Sequence, residues 1–359
     1  MATLRSRHRE TAVLIDTEKE LIKHKHLLAE LARHSLDDQI FEFHGDERLK
    51  MVFDLETHLA FLGEALRCST PQIFSEYAIW TNQLLVSSGG DTQQFRACLH
   101  ALETQIQASA TGDWLETARE YLANALAELD KRQPVTQSFL RDDNPHIDLA
   151  RDFLAACLSL NRQDAMQKTQ DAVSQGVSVN DIYLNVITPV LHELGRLWHL
   201  NKITIGHEHY CTAVAQMIMA QLFPWIFDGN KKKKRMVSTC VPGELHEIGA
   251  RMVADLFEIH GWDTVFLGAD VPIESVIDIL IQHDAHILTI SVTLASHLGE
   301  ASEMIAAVRA NLACAKVKIM VGGAAFNIDQ TLWRKLNADG WAKDGETAVA
   351  VADTLDRAS

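Results

Sequence analysis

The sequence predicts an α + α/β fold in which two helical regions precede a C-terminal, Rossmann-like parallel sheet. Three observations predict it. From residue 236 onward, short apolar and β-branched runs alternate with segments of helical periodicity, the pattern of a parallel sheet. Upstream, apolar residues recur at helical spacing as far as Phe227. Two breaks divide the chain: Lys131-Arg132-Gln133-Pro134, where proline stops a helix, and the basic run Lys231-Lys232-Lys233-Lys234-Arg235. The expected domains are 1–134, an all-helical sensor or regulatory domain; 135–229, a four-helix bundle; and 236–359, the sheet domain.

In the first domain, Leu21, Leu28 and Leu31 lie on one stripe of a helix from about Thr17 to Ala32. Residues 46–67 place Val52, Leu55, Leu59, Leu62 and Leu66 on an apolar face with His58 beside it. Thr70-Pro71 has the form of an N-cap followed by a first-turn proline, opening Gln72 to Leu85, and Ser87 to Asp91 ends that helix. Two more helices follow near 92–109 and 113–131. The aromatics Phe53, Phe61, Phe74, Tyr77 and Trp80 have core spacing, and His58 the place of a core histidine. Five or six such helices around an apolar cavity, as in globin-like sensor domains, would also suit a flat pigment.

In the bundle, Leu149, Phe153, Leu154, Cys157 and Leu158, then Ile182, Val186, Ile187, Val190, Leu191 and Leu194, fit four packed helices. Ser178 or Asn180 caps the third, which runs to Trp198-His199. The fourth carries Glu208-His209 and ends at Phe223-Pro224.

In the sheet domain, the strand Met236 to Val241 ends at Pro242-Gly243, and a helix follows from Gly249 through Met252, Val253, Leu256 and Phe257. His246 therefore sits on a loop at the carboxyl end of a strand, where open α/β sheets bind ligands. A neutral imidazole is a good transition-metal ligand, and Glu244 can take its other ring N–H. A loop His beside a Glu is also a common solvated pair, so the spacing matters. Between Gly249 and Ser291 lie 41 residues; Ser291-Val292-Thr293 closes the strand His286 to Ile290, and 28 residues further Gly322-Gly323 closes Val317 to Val321. Three loops, with a His, small hydroxyls and glycines, converge on one sheet edge.

This series resembles the cobalamin-binding domain, whose signature is Glu/Asp-x-His-x-x-Gly, then Ser-x-Leu/Thr, then Gly-Gly. The resemblance implies that His246 is the lower axial ligand of cobalt, and that Ser291, Thr293, Gly322 and Gly323 line a slot for the displaced dimethylbenzimidazole tail. A nucleotide-binding Rossmann domain is weakened by Val241-Pro242-Gly243-Glu244 in the first turn, where Gly-x-Gly-x-x-Gly would stand. Trp198, nine residues and Glu208-His209 further resemble the Trp-x9-Glu-His pattern of cobalamin-dependent photoreceptors, the CarH-like light sensors. That resemblance implies adenosylcobalamin capped by Trp198, Glu208 and His209, with His199 as a possible upper cobalt ligand after light breaks the Co–C bond.

Members of that family carry a winged-helix DNA-binding domain before the bundle, and residues 1–134 show no helix-turn-helix signature or basic face. A helical N-terminal domain is closer to the photocobilins, which implies biliverdin as a second chromophore, although no bilin motif can be quoted. A net charge of −15 argues against a nucleic-acid-binding surface. The chain lacks an apolar run of membrane length and an N-terminal signal-type segment, and its six cysteines are dispersed, so a cytoplasmic protein is expected. The expected function is a non-enzymatic light-sensing binding protein, a homo-oligomer with an unknown signalling partner. The alternative is a corrinoid carrier for methyl transfer; a radical mutase lacks residues for a substrate barrel.

Overall fold

A computed structural model of the protein describes residues 18–36, 50, 54–129, 131, 137–226 and 232–357. Met1 to Thr17, Val52, Phe53, the Arg132 to Pro134 break and Lys231 lie outside them. The chain divides into two compact units, Met1–Pro134 and Val135–Ser359.

The first unit is helical where described: Glu18–Lys23, Lys25–Arg33, Leu55–Arg67, Pro71–Ser87, Thr92–Ser109 and Trp114–Leu129. The first stretch, expected as one helix, is broken at His24. Asp54 caps Leu55–Arg67 by accepting from the N–H groups of Glu56 and Thr57. Thr70 does not cap as expected; its hydroxyl donates to the Cys68 carbonyl at 2.9 Å. The aromatic positions are core or near-core: Phe74 is fully buried, and Phe61 stacks on Tyr77 with centroids 3.8 Å apart. His58 is buried, with Nδ1 2.6 Å from the Tyr77 hydroxyl.

The second unit opens with a four-helix bundle: Ile147–Leu158, Arg162–Ser174, a third helix, and Ile205–Leu222. The third helix starts at Val179–Asp181, capped by Ser178, passes through a π turn at Ile182–Ile187 and continues as Thr188–His199. Pro189 accounts for the π turn, since it has no N–H for the Asn185 carbonyl and its ring would clash there. The Asn144 side chain donates to that carbonyl instead, at 2.7 Å. Phe153, Cys157, Ile182, Tyr183, Val190, Cys211, Ile218 and Met219 fill the core.

Five parallel strands follow, β1 (Arg235–Cys240), β2 (Asp263–Phe266), β3 (Ile287–Ser291), β4 (Lys318–Gly322) and β5 (Gly340–Trp341), in the order β2-β1-β3-β4-β5. The chain leaves β1 for β2 on one side and returns to β3 on the other, so the switch point lies between the carboxyl ends of β1 and β3. One face of the sheet, with Met236, Ile287 and Met320, packs on Leu256 and Phe257 of the helix Ile248–Ile259 and on Ala348, Val349 and Ala352 of Gly345–Arg357. Among the described residues, no helix is long and apolar enough to cross a membrane. All six cysteines are free and buried.

Candidate functional site

The switch point brings the His246 loop and the loop after β3 together. Glu244 is fully buried and joins them. Its Oε1 accepts from the His246 backbone N–H at 3.0 Å and lies 2.6 Å from His246 Nδ1. Its Oε2 accepts from the N–H groups of Thr293 and Leu294 at 2.8 and 3.0 Å, with His297 Nδ1 at 3.5 Å. Burial alone would raise the Glu244 pKa, but the hydrogen bonds from His246, His297 and the Leu294 and His246 backbone outweigh it. They hold the carboxyl well below the usual range. An ionised carboxylate only accepts, so the proton of the short contact belongs to His246 Nδ1, and in the neutral imidazole the lone pair is then on Nε2. The His246 side chain is 57% exposed, which leaves it accessible to a ligand.

The loop after β2 completes this edge. Asp270 accepts from the Gly243 N–H at 2.8 Å, and its own N–H donates to the Glu244 carbonyl at 3.1 Å. Both turns need a left-handed residue, with φ of 80° at Gly243 and 51° at Asp270. Gly249 stands differently: it is the second residue of Ile248–Ile259, exposed, and a Cβ there would meet nothing within 4 Å.

The other expected residues divide into two groups. Ser291 ends β3, half-buried, and two residues back on the same face the buried Thr289 Oγ1 has no hydrogen-bond partner. Thr293 contributes its backbone N–H. Gly323, at φ 96°, has no room for a side chain, because a Cβ would lie 2.3 Å from the Val292 carbonyl oxygen. A Cβ on Gly322 would approach the Ala342 carbonyl to 3.2 Å. A Cβ at either glycine would therefore meet a neighbouring loop, the one after β3 at Gly323 and the one after β5 at Gly322. On the bundle, Trp198 is half-buried and His199 buried. Glu208 bonds His209 Nδ1 at 2.7 Å and accepts from the Thr212 hydroxyl at 2.9 Å. The His209 side chain is 72% exposed.

Sequence reasoning missed Asp270, His297, Thr289 and the pair Gln216–Glu247, which joins bundle to sheet domain at 2.8 Å. The Gly268-Ala269-Asp270 turn after β2 was a readable signal for the first; the others depend on partners distant in sequence.

Comparison with known proteins bears on this site. Residues 234–352 match a family model described as a B12 binding domain, and residues 149–223 match a second with the same description. Dimethylamine corrinoid protein 1 of Methanosarcina mazei is 26% identical over 196 residues, covering 54% of this chain and 90% of that protein. Dimethylamine corrinoid protein 3 of the same organism is 28% identical over 167 residues, 46% of this chain and 99% of that protein. The solved monomethylamine corrinoid protein of Methanosarcina barkeri aligns with a TM-score of 0.53 at 20% identity. The alignment covers 58% of this chain and 99% of that one, and shows the shared fold. The second unit thus contains a cobalamin-binding module. The light-sensing function expected from Trp198 and Glu208-His209 is corrected by these findings: the relatives are corrinoid proteins named for methylated amines, and none of these matches supports an adenosyl group, a bilin or a signalling role.

Proposed function

We propose that the chain is a corrinoid carrier for methyl transfer, with His246 as the lower axial ligand of cobalt. The observation that carries the reading is the Glu244–His246 pair at the switch point, in a chain whose relatives are corrinoid proteins. In this reading residues 135–229 form the bundle over the corrin, 236–359 the domain beneath it, and 1–134 a separate regulatory domain.

The residues suit the group. Glu244 fixes the imidazole tautomer and leaves Nε2 as donor, and a bound cation would deepen its preference for the ionised form. At Gly249 no atom stands within 4 Å of where a Cβ would lie, so the start of the helix is open to a group laid against it. The partnerless Thr289 Oγ1 and Ser291, on the face of β3 toward Ile248–Ile259 and Gly345–Arg357, offer polar contacts to a tail inserted beside the strand. The half-buried Trp198 and the hydrogen-bonded pair Glu208–His209 are the bundle residues that would cover the bound group. The bound corrinoid supplies a cobalt that takes up a methyl group and gives it up again. A carrier's cap must admit a methyltransferase, which is the class of partner this reading requires.

The test is electron paramagnetic resonance of the cobalt(II) form together with cobalamin retention on gel filtration. Wild-type protein made with 15N-labelled histidine should show the doublet splitting of one 15N ligand, and His246→Ala should lose that doublet with at least a tenfold loss of affinity. Wild-type splitting and retention in His246→Ala would overturn the assignment. Transfer of a labelled methyl group from the loaded chain to a methyltransferase's thiol acceptor tests the carrier role separately.

A further inference from the structure

Helix Ile248–Ile259 meets the bundle at three places along its length. At its start, Glu247 Oε1 accepts from Gln216 Nε2 at 2.8 Å, in a half-buried contact. In the middle, Met252 enters the bundle core and its sulfur lies 3.5 Å from the Thr188 hydroxyl. At the far end the Tyr183 hydroxyl donates to Asp255 at 2.8 Å, with both residues buried. Glu247 and Asp255 are eight positions apart on the chain, so about 12 Å of helix separates the two polar links.

The Gln216 link differs from the Tyr183 link in what it touches. Glu247 follows His246 directly, and its Oε2 accepts from the Ala269 N–H at 3.1 Å, so it belongs to the loop cluster beneath the site. Gln216 lies on the face of Ile205–Leu222 that carries Glu208 and Thr212, at positions 208, 212 and 216, which follow one another at helical spacing. The Gln216–Glu247 hydrogen bond therefore ties the helix bearing Glu208 and His209 directly to the residue after His246.

We infer that Gln216 and Glu247 are positioning residues that latch the bundle over the His246 loop, and that Tyr183–Asp255, beside the π turn, is the pivot about which the bundle lifts. This rests on the carrier reading, because only a cap that opens needs a latch. The bond nearest the site is half-buried and open to competition from water, whereas the Tyr183–Asp255 bond is buried. The third helix is already irregular at Tyr183, where its backbone can absorb a change of direction.

The experiment is hydrogen–deuterium exchange of the full chain, without cofactor and loaded with methylcobalamin. The variants are Gln216→Leu, Gln216→Glu and the swapped pair Gln216→Glu with Glu247→Gln, which restores a hydrogen bond with donor and acceptor exchanged. Both single variants should raise exchange in residues 205–212 and 244–249 by about two- to tenfold, the value of one such bond. Exchange in 147–174 should stay unchanged, and the swapped pair should return to wild type. Wild-type exchange in the single variants, a rise spread equally over the bundle, or no rescue by the swap would overturn the latch. The carrier reading fails by a separate sign, loss of histidine-ligated cobalt or of methyl transfer in the wild-type protein.

Discussion

Glu244 gives up all contact with water, and four hydrogen bonds from two loops replace it. Removing its carboxylate by Glu244→Ala strands the N–H groups of Thr293 and Leu294 and should destabilise the apo protein by about 3 kcal/mol, read from denaturant midpoints. The sign of the pH dependence follows from the depressed pKa. A carboxyl held below its unfolded value of about 4.3 contributes stability above that pH and loses it as the pH falls toward the folded value. The gap between wild type and Glu244→Ala should therefore be widest near neutrality and narrow below about pH 4. A gap that stays constant on acidification would mean that packing, and not the ionised carboxylate, holds the loops. The Glu244–His246 contact was legible because it joins residues two apart on one loop. The bonds to Thr293 and Leu294 were not, since they span 49 and 50 residues and use backbone groups, which leave no mark on the choice of side chain.

Among elements, the helix Ile248–Ile259 does most to join the second unit, facing the sheet through Leu256 and Phe257 and the bundle through Met252 and Asp255. Periodicity predicted its existence and its Met252, Val253, Leu256, Phe257 pattern, but a pattern of apolar positions does not say which partner each one meets. Asp255 was unreadable for the same reason. Burial raises its pKa, an effect the Tyr183 hydroxyl only partly opposes. A carboxyl with a raised folded-state pKa costs stability as the pH climbs past its unfolded value, because the folded state resists losing the proton. Asp255→Asn keeps an acceptor for Tyr183 without the charge. It should raise the melting temperature at pH 7 by on the order of 2 °C, a gain that disappears near pH 4. A lowered melting temperature at pH 7 would show that the ionised carboxylate is the better partner. The π turn of the third helix was not anticipated: the sequence reading ran that helix unbroken to Trp198-His199, and Asn144, which satisfies the carbonyl freed by Pro189, lies 41 residues upstream of Asn185.

For the whole molecule, the fold class followed from alternation and periodicity, whereas the light-sensing function rested on a short pattern at one helical corner. Trp198 and Glu208-His209 lie on a bundle of a kind that corrinoid proteins also possess, so the pattern could not by itself separate the two uses of one architecture. The extent of the relatives makes a further prediction about the first unit. A corrinoid protein of which 90% aligns with 54% of this chain, and another of which 99% aligns with 46%, are nearly complete within such a stretch. The proposed site residues His246, Glu244, Ser291, Trp198 and Glu208 all lie within Val135–Ser359. A fragment of that extent should therefore unfold in one cooperative transition and bind cobalamin within about threefold of the full chain, since an affinity change below 0.7 kcal/mol is what loss of no direct contact permits. Titration of both proteins with hydroxocobalamin measures this. An affinity reduced tenfold or more would place part of the binding surface in residues 1–134 and give the first unit a share in the site. Equal affinity would confine the cobalamin-binding surface to the second unit.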